Sequence, residues 1–188
     1  KYITLLVAGL LVGITTNIGH PVTPYYINQL NFDKIVFGYF YALMSFGMLI
    51  SAPIWGSLGD AKGRKWIIII CLIFYGVGQV MFATFDNLYL IFFARLFSGI
   101  FSGGILVSFL SYMTRSKELA KYNQSRLYAT FISLQLVGTS LGSFIGGVLG
   151  EVFAPNYNIV LYIQGLLMVV FAVYVLTLMK FDNEEKKE

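Results

Sequence analysis

Two ionisable side chains interrupt apolar segments of this sequence. Arg95 lies in LYLIFFARLFSGIFSGG, and His20, the only histidine, lies in GITTNIGHPVTP. A charge about seven residues, or roughly 10 Å, inside a membrane helix is costly, so Arg95 is a candidate functional residue. The alternative is an arginine that snorkels to the outer interface. Histidine titrates near neutral pH, so His20 is a candidate proton carrier, or simply a hydrogen-bonding group near the outer surface.

Small polar side chains recur near these two residues at helical spacing. Ser98 and Ser102 share the helix face of Arg95, and Asn17 lies about one turn before His20. Other polar pairs stand one turn apart in separate apolar segments. Thr16 lies beside Asn17, also about one turn before His20. The candidates for lining one cavity, besides Arg95 and His20, are Asn17, Tyr41, Ser45, Ser98, Ser102, Gln135 and Thr139.

The composition indicates a membrane protein. Of 188 residues, 57% are hydrophobic and only 12% are charged, and the mean hydropathy is +0.75. Six segments have the length and apolar character of membrane-spanning helices. They are Tyr2–Gln29, Ile35–Gly59, Trp66–Phe85, Leu88–Thr114, Leu127–Glu151 and Asn158–Met179. Pro21 and Pro24 predict that the second half of the first segment is kinked or irregular.

The basic residues predict the orientation of these helices. With a cytoplasmic N-terminus, 11 of the 13 basic residues fall on the cytoplasmic side, Lys34 falls outside, and Arg95 lies within a helix. The eleven are Lys1, Lys62, Arg64, Lys65, Arg115, Lys117, Lys121, Arg126, Lys180, Lys186 and Lys187. We therefore expect a multi-pass protein of the plasma membrane with both ends in the cytoplasm. The net charge of +4 does not call for a nucleic-acid partner.

An internal repeat relates the two halves of the chain. A shift of 91 residues places GMLISAPIWGSLGD (47–60) on GTSLGSFIGGVLGE (138–151), with the shared ending G-x-L-G-acid. Each copy, at about 1–87 and 88–180, contains three predicted helices, so the second copy is inverted in the membrane. Inverted three-helix repeats are typical of secondary transporters. Residues 181–188 are expected to begin a cytoplasmic linker.

The loop GSLGDAKGRK joins the second and third predicted helices. It resembles the signature loop of the major facilitator superfamily, G-x-L-(A/G)-D-x-x-G-(R/K)-(R/K), in both sequence and position. The resemblance implies an all-α fold in which the loop is a conformational latch that holds two six-helix halves together on the cytoplasmic side. Its residues here are Gly56, Asp60, Gly63, Arg64 and Lys65. Small residues in the loop predict close helix packing at Gly56 and Gly59, and Asp60 is placed to pair with Arg64.

Two further stretches resemble the drug:proton antiporter branch of that superfamily. GITTNIGHPVTP is similar to its G…P-V-x-P pattern, and GTSLGSFIGG is similar to its G-x-x-x-G-P-x-x-G-G pattern, with Ser143 in place of the proline. The glycines of the second stretch form a stripe that we expect to pack against another helix: Gly138, Gly142, Gly146 and Gly147. The family's R-x-x-x-G pattern matches Arg95 and Gly99, which implies proton coupling or substrate binding at Arg95.

Two features of the sequence depart from the family pattern. Relatives tend to place an acid at the end of the fourth helix, where Arg115 stands here, and none of the acids falls inside a predicted helix. Many proton-coupled exporters carry a buried acid, so a coupling ion here would have to use Arg95, His20 or a group outside this chain. Gln79 and Gln164 lie on predicted helices that mostly stand outside the cavity in this family, and they are not among the candidates.

The resemblance implies a transporter that works by alternating access, with a second six-helix half from the same or a separate chain. Its partners would be a small-molecule substrate, protons and the lipid bilayer, with no cofactor and no metal. The preferred interpretation is proton-coupled efflux of drugs or other small molecules. A uniporter or symporter of small metabolites such as sugars is the alternative. An intramembrane protease is disfavoured because G-x-S-x-G within GTSLG reads as continuous helix, and a non-transporting membrane protein would need neither the repeat nor the loop.

Overall fold

The computed structural model describes residues 2–117 and 119–179. Within those ranges it contains seven helices: α1 (Tyr2–Asn17), α2 (Thr23–Gln29), α3 (Lys34–Lys62), α4 (Arg64–Thr84), α5 (Leu88–Arg115), α6 (Gln124–Phe153) and α7 (Asn158–Leu178). The linker expected at 181–188 lies outside the described residues, as do Lys1, Lys180, Lys186 and Lys187 of the orientation argument.

Helices α3 to α7 are each long and apolar enough to cross a membrane. The first predicted crossing is divided into α1, a break at 18–22 and the short α2. Pro21 lies in the break and Pro24 in the first turn of α2, where neither can donate a helical hydrogen bond. The irregular second half of the first segment is therefore confirmed, and so is the all-α membrane fold.

Local sequence signals account for several helix ends. The side chain of Asn87 accepts hydrogen bonds from the amides of Tyr89 and Leu90 and caps α5. Asn123 caps α6 in the same way, by accepting from the amide of Arg126. Gly63 joins α3 to α4 with φ of 96°, a backbone conformation in which any side chain would be strained.

Helix packing follows the inverted repeat. Helix α1 packs along α6, α3 packs along α5, and α4 packs against both α5 and α7. A Cβ on Gly13 would collide with the carbonyl oxygen of Gln135, and a Cβ on Gly99 would collide with that of Met44. Met44 and Gln135 are 91 residues apart, so these two contacts are equivalent under the repeat. Each of them joins a helix of one copy to a helix of the other.

The spacing of the repeat differs between helix pairs. The shift of 91 residues holds for α3 and α6, whereas 86 residues separate Gly13 on α1 from its counterpart Gly99 on α5. The helices α4 and α7 meet where a Cβ on Gly76 would lie 2.9 Å from the carbonyl oxygen of Gly165, and the reciprocal distance is 3.0 Å. A single shift of 91 residues is therefore wrong for the whole chain, because the loops of the two copies differ in length.

The glycines take different parts in this packing. Gly138 and Gly142 face the backbone of α1 at Leu10 and Ile14, and Gly146 faces the start of the break at Ile18. Gly147 does not share this contact, since no atom lies within 4 Å of the position of its Cβ. The expected close approach at Gly56 and Gly59 is also absent from the described residues: added Cβ atoms there would meet only the side chains of Val107 and Arg64, at 3.7 and 3.6 Å. A step of four residues keeps the stripe on one helix face, whereas Gly147 is turned about 100° away.

Candidate functional site

A cavity of about 260 Å³ lies where α1, α3, α4, α5 and α6 converge. Its walls are partly apolar, with Met44 and Met48 on α3 and Val12 on α1. The polar lining residues are Thr16, Asn17, His20, Tyr41, Ser45, Tyr75, Ser102 and Gln135. Residues from both copies of the repeat therefore face one space, because the glycine contacts bring α1 close to α6 and α3 close to α5.

Hydrogen bonds join the polar groups at the cavity wall in pairs across helices. Asn17 Nδ2 donates to Thr139 Oγ1 at 3.2 Å and to the carbonyl oxygen of Gly13 at 3.0 Å. His20 Nδ1 lies 2.6 Å from the Tyr41 hydroxyl, and their rings are stacked with centroids 5.4 Å apart. The wall thus presents amide, hydroxyl and imidazole groups, which suit hydrogen-bonded recognition of a small molecule.

Arg95 lies beside this cavity and is not one of its lining residues. It is only 7% exposed, its Cζ lies 3.5 Å from the centroid of the Phe82 ring, and its Nη2 donates to Thr23 Oγ1 at 3.4 Å. Its Nε has no hydrogen-bond partner within the described part of the chain, nor is any carboxylate within ion-pair distance there. The guanidinium is therefore buried within the bundle and not exposed at its surface.

Two of the candidate cavity residues occupy other positions. Ser98 does not line the cavity: it is buried, donates to the carbonyl oxygen of Ala94 at 2.8 Å, and faces Gly78 of α4. It shares a helix face with Arg95, and that face is covered by α4. Thr139 does not line the cavity either. Its hydroxyl accepts a hydrogen bond from Asn17, which does line the cavity, and donates to the carbonyl oxygen of Gln135 at 3.0 Å.

Four residues near the site were absent from the sequence-based set of cavity residues. Thr16 and Tyr75 line the cavity from α1 and α4, and Thr23 is the hydrogen-bond acceptor of Arg95. Gln164, on α7, is 1% exposed and donates through Nε2 to the carbonyl oxygens of Thr15 and Thr16, at 2.9 and 3.0 Å. A buried glutamine in an apolar helix was a detectable signal, because such a side chain needs a partner in the membrane interior.

A second cluster lies at the joint between α3 and α4. Asp60 accepts from Arg64 Nη2 through Oδ1 and from Arg115 Nη2 through Oδ2, each at 2.9 Å. Arg64 Nε also donates to Ser111 Oγ at 2.8 Å, and Lys65 Nζ donates to the carbonyl oxygen of Leu176 at 2.8 Å. Arg115 therefore enters the cluster as a second cation on Asp60, at the position for which the family resemblance predicts an acid.

Comparisons with known proteins show which family the chain matches. The chain matches the family model described as Major Facilitator Superfamily over residues 5–188. It is 31% identical over 139 residues to Multidrug resistance protein 1 of Bacillus subtilis (strain 168), covering 70% of this chain and 33% of that protein. It is 26% identical over 191 residues to the Tetracycline resistance protein, class H, of Pasteurella multocida, covering 99% of this chain and 45% of that protein.

Solved structures share the fold. The crystal structure of the nucleoside transporter NupG superposes with a TM-score of 0.83 at 16% identity, covering 96% of this chain and 44% of that one. The human organic anion transporter MFSD10 superposes with a TM-score of 0.67 at 17% identity, covering 93% and 46%. The chain spans less than half the length of the curated relatives it matches. With a family model matched along nearly all of its length, this integral membrane protein belongs to the major facilitator superfamily.

Proposed function

We propose that residues 1–180 form the N-terminal half of a secondary transporter that exports drugs or other small molecules in exchange for protons by alternating access. The observation that carries the proposal is the cavity where Asn17, His20 and Tyr41 meet Ser102 and Gln135. Polar groups from both copies of the repeat converge there within an apolar bundle. The similarity to drug and tetracycline resistance proteins supports the choice of substrate class.

A second six-helix half completes this transporter in our proposal, with residues 181–188 beginning the linker to it. Helices α3 and α6 are the least covered of the five long helices, with 22% and 17% of their apolar windows buried. They carry exposed apolar side chains such as Leu49 and Ile54 on α3 and Phe144 on α6. The open position beside Gly147 lies on α6 as well. The relatives, which are more than twice as long as the aligned region, contain enough chain for such a half.

Proton coupling is assigned to the neighbourhood of Arg95 and His20. Thr23, which accepts from Arg95, donates through its own amide to the carbonyl oxygen of His20 at 3.3 Å, so the hydrogen-bond partner of Arg95 lies within one turn of His20. Uniport or symport of a small metabolite is the second candidate. It is favoured by the fact that the described acids, Asp33, Asp60, Asp86 and Glu151, all lie at helix ends or in loops.

Orientation and compartment complete the proposal. The cluster of Asp60, Arg64 and Arg115 lies on the cytoplasmic side of a plasma-membrane protein, and both chain ends face the cytoplasm. The concentration of Lys and Arg at that end of the bundle supports this orientation through the positive-inside rule.

Transport by the full-length protein in proteoliposomes tests the proposal. An imposed pH gradient and a panel of lipophilic dyes and antibiotics are applied to wild type, to Arg95→Ala and to Arg126→Ala, which removes an exposed arginine instead. We expect gradient-driven movement in wild type and Arg126→Ala and its loss in Arg95→Ala. Folded wild-type protein that moves no member of the panel would contradict efflux and favour the metabolite transporter.

A further inference from the structure

The break between α1 and α2 leaves two main-chain carbonyls without a hydrogen-bond donor from the helix itself. Hydrogen bonds through the break run from the amide of Ile18 to the carbonyl of Ile14 and from the amide of His20 to that of Asn17, both at 3.2 Å. In a regular helix the amide of His20 would bond the carbonyl of Thr16, four residues earlier. The carbonyls of Thr15 and Thr16 accept from outside the helix instead. In a membrane interior such groups need a protein partner.

Gln164 of α7 supplies that partner. Its Nε2 donates to both carbonyl oxygens, at 2.9 and 3.0 Å, and its side chain is 1% exposed. A Cβ on Gly19, in the middle of the break, would collide with Gln164 Oε1, so the glutamine fills the space beside the break. Tyr75 adds a long contact from its hydroxyl to the Thr16 carbonyl at 3.5 Å. The side-chain amide of Gln164, which belongs to the other copy of the repeat, thus binds the last turn of α1 at the break.

The residues on either side of these carbonyls form the cavity wall. Thr16 and Asn17 end α1, His20 lies in the break, and all three line the cavity. Gln164 is not a lining residue and acts on them only through the main chain. We propose that Gln164 is a positioning residue for substrate recognition, which fixes the end of α1 so that Asn17 and His20 face the cavity. This inference rests on the proposed transport function.

The chain offers a matched control for removing a buried glutamine. Gln79 of α4 is also 1% exposed, and its Nε2 has no hydrogen-bond partner among the described residues. Gln164→Leu deletes both bonds to the break, whereas Gln79→Leu deletes a side chain of the same size that holds no carbonyl of α1. Gln164→Asn keeps the amide but shortens its reach by one methylene, so its effect is expected to lie between wild type and Gln164→Leu.

Two measurements on the full-length protein test the inference. In proteoliposomes we expect Gln164→Leu to raise KM for a transported dye about tenfold with a smaller change in the maximal rate, and Gln79→Leu to change KM less than about twofold. In the purified protein, hydrogen exchange of the peptide spanning 14–24 should accelerate in Gln164→Leu and stay unchanged in Gln79→Leu.

The exchange measurement separates this inference from the proposed function. If wild type transports no tested compound, the exchange comparison still decides whether Gln164 holds the break. Unchanged exchange at 14–24 in Gln164→Leu overturns the inference, and so do equal effects of the two leucine variants on KM. If Gln164→Leu does not fold, Gln164→Asn takes its place, and a KM and an exchange rate equal to wild type in that variant overturn it.

Discussion

The hydroxyl of Tyr41 lies 2.6 Å from Nδ1 of His20, which links the N-terminal third of α3 to the break in the first membrane crossing. Their rings are also stacked, with an interplanar angle of 22°. The only histidine of the chain is thus held by a hydrogen bond and an aromatic contact at the cavity wall. A change at Tyr41 therefore alters the immediate surroundings of His20.

Tyr41→Phe is expected to impair transport without affecting folding. The substitution keeps the ring stack and removes one hydrogen bond, which is typically worth about 0.5–1.5 kcal/mol and predicts a fall in kcat/KM of about two- to twelvefold. Initial rates of dye transport in proteoliposomes provide the measurement. Tyr39→Phe, on an exposed face of α3, is the control and should transport as wild type. Equal rates for the two variants would show that the His20 contact has no part in transport.

Thr23→Val is expected to reduce pH-gradient-driven transport by disturbing Arg95. The change is close to isosteric, but it removes the acceptor of Arg95 Nη2 and leaves the guanidinium with only the Phe82 ring among the contacts described. Loss of a hydrogen bond to a charged group is worth roughly 1.5–3 kcal/mol, so a decrease of at least tenfold is expected. Thr84→Val, which removes an exposed hydroxyl bonded to Val80, should retain activity. Normal transport by Thr23→Val would contradict a coupling role for this contact.

Alanine at Gly13 or Gly99 is expected to destabilise the bundle. The added methyl groups would collide with the main chain at Gln135 and Met44, and the helices must separate to accept them. Overpacking of this kind costs about 1–3 kcal/mol, which lowers the melting temperature by several degrees. Thermal unfolding of the purified protein in detergent, followed by size-exclusion chromatography, measures the effect. Gly38→Ala adds the same methyl group where no atom lies within 4 Å and should melt as wild type.

The two arginines on Asp60 are expected to contribute unequally to stability. The side chain of Arg64 is 9% exposed and also bonds Ser111, whereas that of Arg115 is 57% exposed. Exposed ion pairs contribute about 0–1 kcal/mol, so Arg115→Ala should change the melting temperature little and Arg64→Ala should lower it clearly. A larger fall in melting temperature for Arg115→Ala than for Arg64→Ala would contradict the prediction that the buried arginine contributes more to stability.

Transport by Asp60→Asn tests whether the cluster acts as a conformational latch, separately from its contribution to protein stability. The substitution removes the charge that both arginines share while keeping the shape of the side chain. We expect normal membrane insertion and reduced transport, measured as dye flux per inserted protein. Unchanged flux would count against a latch at this joint.

Much of the architecture could be predicted from the sequence. The long apolar segments predict α3 to α7 because a membrane interior admits few structures other than apolar helices. Pro21 and Pro24 predict the interruption of the first crossing, because proline lacks the amide hydrogen that a helix requires. The spacing of Asn17, Tyr41, Ser45 and Gln135 placed polar groups on helix faces that the structure directs into one cavity.

Which helix covers each face was decided only by the tertiary structure. Ser98 and Ser102 lie one turn apart on α5, yet α4 covers Ser98 while Ser102 faces the cavity. Gly146 and Gly147 are neighbours in the chain, but only Gly146 meets the first membrane crossing, at Ile18. Helical periodicity specifies which residues share a face and carries no information about the helix that packs on it. The contact of Gln164 with Thr15 and Thr16 likewise joins residues about 150 positions apart, and only folding brings them together.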